Sequence, residues 1–179
     1  TTDDRWIVPH FEKMLYDNAQ LMEAYLVGYQ LTKNEDYLTV ISQILEWLKD
    51  EMIDKDGGFY SSMDADSEGV EGKYYVWNPE EIESILSEND AKIFNQYYDI
   101  SKSGNWEGNS IPNVIMKKSS LSTLLKIPES DISLSLEKSR LAIKKHRKSR
   151  IAPGTDDKII VSWNGLMISS LAKVSAFLD

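Results

Sequence analysis

The chain has 179 residues, a formal net charge of −9, no cysteine, and ordinary fractions of apolar and charged residues. The acidic charge disfavours sequence-independent binding to nucleic acid, which depends on Lys and Arg to neutralise phosphates. No apolar run approaches the roughly 18 residues that a membrane-spanning helix needs, and the absence of cysteine excludes disulfides and thiolate chemistry within the chain. We therefore expect a cytoplasmic protein without nucleic-acid or membrane partners.

The first predicted helix runs from His10 to Lys33, with Pro9 placed before it where a missing N–H costs little. Its apolar residues recur at steps of three and four and occupy more than one face, which indicates a helix with more than one buried side. A second, more conventionally amphipathic helix follows a short polar break and ends near Ile53. Two helices joined by a short loop predict an antiparallel hairpin.

The middle of the chain predicts a small ribbon and further helices. Residues 59–62 and 73–77 are short and rich in aromatic residues, which predicts a two-stranded ribbon around the acidic loop 63–72. Asn78-Pro79 predicts a capped helix start. The remaining predicted elements are a helical region from Asn78 towards Tyr98 with a break near Asn89, a loop at 101–112, a helix from Glu129 to Lys148, and a last helix that begins near Trp163 or Asn164.

The basic run Lys138–Arg150 lies in the predicted helix that ends near Lys148. In an acidic protein such a run predicts a solvated face or a contact with an acidic neighbour. His146 lies within it, near a helix C-terminus where positive charge is favoured. We expect His146 to be solvated.

Four blocks of sequence carry a resemblance to a known family. They are 8–21 (VPHFEKMLYDNAQL), 57–77 (GGFYSSMDADSEGVEGKYYVW), 104–111 (GNWEGNSI) and 156–172 (DDKIIVSWNGLMISSLA). Together they resemble the thioredoxin-fused family that includes bacterial YyaL. Members of this family are expected to have a thioredoxin-like domain followed by a six-hairpin toroid.

The resemblance implies a mostly α fold. Residues 1–179 would be a single partial domain, part of an (α/α)6 toroid of the six-hairpin glycosidase-like type with a small β-ribbon, and a fragment of a longer chain. The thioredoxin-like domain of the same parent chain would be its partner. Toroids of this type occur in glycosidases and sugar 2-epimerases, where inner helices ring a cavity and loops at one end form the site. By analogy with these folds we expect a carbohydrate-related function and a sugar-like ligand, without a cofactor; the resemblance itself supplies no reaction.

Three side chains are the acid–base candidates. His10 is a titratable group near neutral pH, although a helix-capping role is an equal alternative. Glu107 and Asp157 supply carboxylates from distant segments, as glycoside hydrolysis needs two.

The candidate binding residues lie in or beside the four blocks. Tryptophans can form apolar walls for sugar rings, and a few polar groups can fix their hydroxyls, although core packing is the alternative for each tryptophan taken singly. The candidates are Trp6, Trp106, Trp163, Asn164, Asp66 and Lys158.

The acidic loop also invites a comparison with a calcium site. Asp64, Asp66 and Glu68 stand at alternate positions before Gly69, as in the opening of a calcium loop. The closing position, however, is Tyr75 instead of a glutamate, and no helix precedes the loop. The sequence favours an acidic hairpin tip and no metal.

Two functional hypotheses follow. In the first, the parent protein is an enzyme that hydrolyses or epimerises a carbohydrate-like substrate. In the second, the domain is a non-catalytic ligand-binding or scaffold partner of the thioredoxin-like domain. The self-neutralising cluster Asp156-Asp157-Lys158 suits the second hypothesis.

Overall fold

The computed structural model describes residues 1–178, which are mostly helical, as predicted. The α-helices are α1 (Leu15–Thr32), α2 (Asp36–Trp47), α3 (Pro79–Ile85), α4 (Glu88–Tyr97), α5 (Lys118–Leu125), α6 (Glu129–Arg147) and α7 (Val161–Leu178). The short strands are β1 (Lys13–Met14), β2 (Ser62–Met63), β3 (Asp66–Ser67), β4 (Val70–Glu71) and β5 (Thr155–Asp156). No helix of residues 1–178 is long and apolar enough to cross a membrane.

These elements fall into two compact units. The first unit comprises Thr1–His10 and Asp66–Ala152, and the second comprises Phe11–Ala65 and the chain from Pro153 onward. Each unit has its own apolar core.

The first unit is organised by α6, which packs against α3, α4 and α5. Its core contains Trp77, Ile82, Ala91, Ile93, Phe94, Ile100, Leu121, Ile132, Leu136 and Ile143. The predicted helix from Glu129 matches α6 closely. Helix α5 is missed by the sequence analysis, because only Leu121 is fully buried in its eight residues and the apolar pattern is too short to show a period.

Two capped helix starts shape this unit. The Asn78 side chain accepts the N–H of Glu81 at 2.9 Å, and Pro79 occupies the first turn, as predicted. The predicted break in this region is present, and it lies at Leu86–Ser87, just before Asn89. The Ser87 hydroxyl caps α4 by accepting the N–H of Asp90.

The contacts of Asp90 predict that the first unit loses stability at low pH. Its carboxylate accepts hydrogen bonds from Ser135 at 2.6 Å, Ser87 at 2.8 Å and Lys138 at 3.1 Å. These contacts, the Ser135 hydroxyl foremost, hold the pKa of Asp90 below its usual range.

A carboxyl with a lowered pKa in the folded state stabilises the protein fully above its unfolded pKa of about 3.9. That stabilisation is lost as the pH falls through the folded pKa. We expect Asp90→Asn to remove about 1.5 kcal/mol of stability at pH 7 and progressively less as the pH falls through the folded pKa of Asp90. Urea unfolding at a series of pH values checks this, and an equal loss at both ends of the series would contradict it.

The second unit packs α1 against α2 and α7, and α2 continues into one π-helical turn, Leu48–Met52. Its core contains Leu15, Ala19, Met22, Leu26, Ile41, Ile44, Leu48, Met52, Met63, Met167 and Val174. A three-stranded antiparallel sheet in the order β1-β2-β5 lies at one end of these elements, with Lys13 opposite Met63 and Ser62 opposite Asp156.

Two sequence predictions are wrong here, for the same physical reason. Helix α1 begins at Leu15 and not at His10, because Lys13 and Met14 pair with β2 as an extended strand. The segment 59–62 contributes to β2, whose partners are β1 and β5, and the predicted pairing with 73–77 is absent from the described residues. Strand partners distant in sequence leave no local signal in either strand.

Candidate functional site

The N-terminal segment of the first unit is folded around one carboxylate. Asp3 accepts the N–H groups of Val8 at 2.8 Å, Ile7 at 3.1 Å and Arg5 at 3.1 Å. These backbone hydrogen bonds lower the pKa of Asp3. The turn holds Trp6 in a left-handed conformation, at φ 59°, with 79% of its surface exposed. His10, which ends this segment, is also exposed.

Glu107 lies in a tight turn between Trp106 and Asn109. The N–H of Asn109 donates to the carbonyl of Trp106 at 2.9 Å, and the N–H of Trp106 donates back at 3.0 Å. The two central residues have positive φ, 47° for Glu107 and 78° for Gly108, as in a type I′ hairpin turn. Glu107 is therefore exposed in a conformation that normally favours Asn or Gly.

The acidic loop is a second hairpin of the same kind. Strands β3 and β4 pair Ser67 with Val70, and Glu68 and Gly69 at the tip both have positive φ. Glu68 forms an ion pair with Lys73 at 2.7 Å. The hairpin tip agrees with the interpretation favoured by the sequence. No group of three or more His, Asp or Glu side chains within residues 1–178 could hold a metal ion.

A cleft of about 500 Å³ lies in the first unit beside these two hairpins. Its lining is mostly polar, with one tyrosine ring and two apolar side chains. The lining residues are Ser67, Glu68, Lys73, Tyr74, Val76, Glu81, Asn109, Ser149, Arg150 and Ile151. None of the predicted catalytic or binding residues is among these lining residues.

Arg150 lines the cleft and makes several contacts within the first unit. Its Nη1 donates to the carbonyls of Tyr74 at 2.9 Å and Val76 at 3.0 Å, and its Nη2 donates to Glu81 at 2.6 Å. The guanidinium also stacks over the Trp77 ring, 3.8 Å from its centroid. Arg150 is thus a structural clamp.

At two positions the basic run makes the predicted contact with an acidic neighbour and is not a fully solvated face. Only 18% of the Arg150 side chain is exposed, and the Nε2 of His146 lies 3.4 Å from the Glu81 carboxylate. Neither contact could be read from the sequence, because Glu81 is more than 60 residues away along the chain.

The predicted residues of the second unit begin with an exposed charge cluster. The Nζ of Lys158 lies 2.8 Å from the carboxylate of Asp156. This contact lowers the pKa of Asp156 and raises that of Lys158. Asp157 is exposed beside them.

Asn164 and Trp163 lie in the first turn of α7 and have structural contacts. The Asn164 side chain accepts the N–H of Phe59 at 2.8 Å and donates to the Phe59 carbonyl at 3.0 Å, as a neighbouring strand would. The half-buried Trp163 ring meets Tyr16 edge to face, with centroids 4.8 Å apart. The amide of Asn164 is therefore engaged with the backbone.

The predicted site residues are divided between the two units. The first unit contains Trp6, His10, Asp66, Trp106 and Glu107, and the second contains Asp157, Lys158, Trp163 and Asn164. Asp66 is exposed at the start of β3.

Comparison with known proteins gives a consistent relationship. The chain is 33% identical to human spermatogenesis-associated protein 20 and 32% identical to the mouse protein of that name, in each case over 99% of the chain. It is also 33% identical, over 94% of its length, to an uncharacterized protein of Caenorhabditis elegans. The chain spans only 26% of the length of each of these relatives. No family model matches the chain.

Proposed function

Because the chain belongs to the family of spermatogenesis-associated protein 20, we propose that it is one segment of a longer enzyme that acts on a carbohydrate or carbohydrate-like substrate. The reaction is hydrolysis or epimerisation. In this proposal the helices contribute to an (α/α)6 toroid, and a thioredoxin-like domain lies elsewhere in the same chain. The cysteine-free sequence favours a cytoplasmic location.

The turn Trp106–Asn109 is the observation that carries the proposal. A non-glycine residue at positive φ costs of order 1–3 kcal/mol, and such strain is concentrated at functional sites. Glu107 has this conformation, at φ 47°, with an exposed carboxylate. Glycine would suit the backbone better, so the glutamate side chain is retained at an energetic cost. Glu68 has the same conformation in the β3–β4 hairpin and is paired with Lys73, and for Glu107 we propose an acid–base role.

The neighbouring cleft supports a sugar-sized ligand. Its volume of about 500 Å³ lies within the usual range of small-molecule sites, roughly 300–1,000 Å³. Asn109, which closes the Glu107 turn, lines it together with Ser67 and the ring of Tyr74. Hydroxyl and amide groups around an aromatic ring are suited to the hydroxyls and the apolar face of a sugar.

The proposed roles follow the chemistry of the side chains. Glu107 and Asp157 are the two carboxyl candidates, each within its own unit, and His10 is a further acid–base group. The tryptophans provide stacking surfaces, and the remaining polar residues bind hydroxyls. These binding residues are Trp6, Trp106, Trp163, Asp66 and Lys158; Asn164 is not among them, because its amide is engaged with the backbone of Phe59.

The test compares two substitutions in the full-length protein that relieve the same kind of strain. Lys126, at the C-terminal end of α5, is exposed and has φ 57°, close to the φ of Glu107. We expect both Glu107→Gly and Lys126→Gly to raise stability by about 0.5–1 kcal/mol, since glycine adopts positive φ without a steric penalty. Only Glu107→Gly is expected to lower turnover, by about 100-fold.

Turnover is measured on a panel of aryl glycosides and by NMR on free and N-acetylated sugars. Turnover that is equal in the Glu107→Gly and Lys126→Gly proteins would contradict the role of Glu107. If the wild-type protein binds a sugar but forms no product, the domain is a ligand-binding domain and the enzyme proposal is wrong. Neither binding nor turnover across the panel would overturn the carbohydrate proposal as a whole.

A further inference from the structure

Helices α1 and α7 of the second unit each carry two apolar stripes. The inner stripes meet in the core: Ala19 and Met22 of α1 and Met167 and Val174 of α7 are almost completely buried. The Ser170 hydroxyl donates to the carbonyl of Ala19 at 2.9 Å, which shows that these two faces are in direct contact.

A second stripe lies on the opposite side of each helix. In α1 it consists of Leu21, Ala24, Gly28 and Leu31, and in α7 it consists of Val161, Gly165, Ile168 and Ala172. Both follow steps of three and four residues, which keeps them on one face of a helix with 3.6 residues per turn. At that periodicity each outer stripe lies about 140–190° from the inner stripe of its own helix.

These outer stripes are exposed although they are apolar. The exposed fraction is 80% for Leu31, 85% for Val161 and 61% for Ile168. Helix α7 contains one charged residue among its 18, Lys173, and that residue is paired with Glu23 of α1. A helix with a second, exposed apolar stripe is typical of a position that is covered in a larger protein.

The composition of the stripes suits another helix. Large and small side chains alternate along α7 from Val161 to Ala172. In α1, Ala24 lies between Leu21 and Leu31, whereas the ring of Tyr37 in α2 already lies against Gly28. Small residues between large ones form grooves that accept the side-chain ridges of a neighbouring helix.

We propose that the outer stripes of α1 and α7 are the docking surfaces for apolar helices of the same parent protein that lie outside these 179 residues. The relatives supply the reason for this occupant, because the chain spans only 26% of their length. Since the inner faces of α1 and α7 meet, the two outer stripes face away from each other, and each takes a separate helix.

Because these 179 residues contain no cysteine, a labelled peptide from this segment reports only on the introduced thiol. In the full-length protein, Ile168→Cys and Leu31→Cys probe the two stripes. Leu134→Cys is the matched control, because Leu134 is 67% exposed on α6. Reaction with a maleimide is followed by peptide mass spectrometry. We expect the stripe positions to react at least about tenfold more slowly than the control, since a buried thiol must wait for local opening.

A second measurement identifies what covers the stripe. A photo-crosslinking phenylalanine analogue replaces Ile168, and the product is mapped at a concentration at which the protein is monomeric. A crosslink within one molecule to a segment outside the 179 residues supports the proposal. Labelling as fast as the control, protection that appears only on dimerisation, or a crosslink to residues of this same segment would each overturn it.

Discussion

Replacing Arg150 with methionine is expected to destabilise the first unit by about 3–5 kcal/mol, the cost of breaking a largely buried ion pair from one side. The substitution leaves Glu81 without the 2.6 Å contact from Nη2 and takes a donor from the carbonyls of Tyr74 and Val76. It also removes the cation from the Trp77 ring. Methionine fills similar volume, so the loss reflects polar groups and not a cavity.

The matched control is Arg140→Met, which removes an exposed arginine from α6 and is expected to change stability by less than about 0.5 kcal/mol. Urea unfolding followed by tryptophan fluorescence gives both values. Hydrogen exchange at Val76 and Trp77 shows whether the loss is local to the clamp. Equal effects of the two substitutions would mean that the Arg150 contacts contribute nothing net.

A double-mutant cycle separates the ion pair from the backbone contacts. In Glu81→Gln the partner charge is absent, so Arg150→Met should then cost only the two carbonyl hydrogen bonds and the stacking on Trp77. We expect the second substitution to cost about 1.5–3 kcal/mol less in that background, the value of a hydrogen bond between charged groups. Additive losses would show that Glu81 and Arg150 are not coupled.

Asn164→Leu is expected to cost the second unit about 3 kcal/mol. Its amide supplies both an acceptor and a donor to Phe59, at 2.8 Å and 3.0 Å, and leucine supplies neither. Each buried backbone group left without a partner costs about 1–3 kcal/mol. The N–H of Phe59 should lose its protection from hydrogen exchange.

Asn89→Leu is the control for this substitution, because Asn89 is exposed in α4. Asn164→Asp tests the geometry further, since a carboxylate keeps the acceptor but brings a negative charge to the Phe59 carbonyl. At pH 7 we expect Asn164→Asp to destabilise the second unit at least as much as Asn164→Leu does. Full protection of the Phe59 N–H in the Asn164→Leu protein would show that the amide bridge is dispensable.

In the turns at Glu68-Gly69 and Glu107-Gly108, the sequence indicates a turn but not the conformation of the glutamate. A glycine follows both Glu68 and Glu107, and each pair forms the tip of a hairpin with positive φ at both positions. The glycines indicated turns. That the preceding glutamate would also take the left-handed conformation is a property of the closed hairpin, because the hydrogen bonds between flanking residues set the twist of the turn.

Only part of the candidate site could be predicted from the sequence. The four sequence blocks carried the family resemblance, and the relatives confirm the family. The cleft itself was not foreseen, since Glu81, Asn109 and Arg150 come from three segments and none has an unusual local pattern. Side chains from distant segments converge because of how the helices and hairpins pack. The spacing of residues along the chain does not reveal that packing.

The sequence by itself determined what short-range chemistry controls. The capped start at Asn78-Pro79 and the extent of α6 follow from capping and from helical periodicity, and both are present in the structure. Only the tertiary structure decided the start of α1, the order β1-β2-β5 and the burial of Arg150. Each of these depends on a partner tens of residues away, and such partners are selected by packing and hydrogen bonding in the folded state.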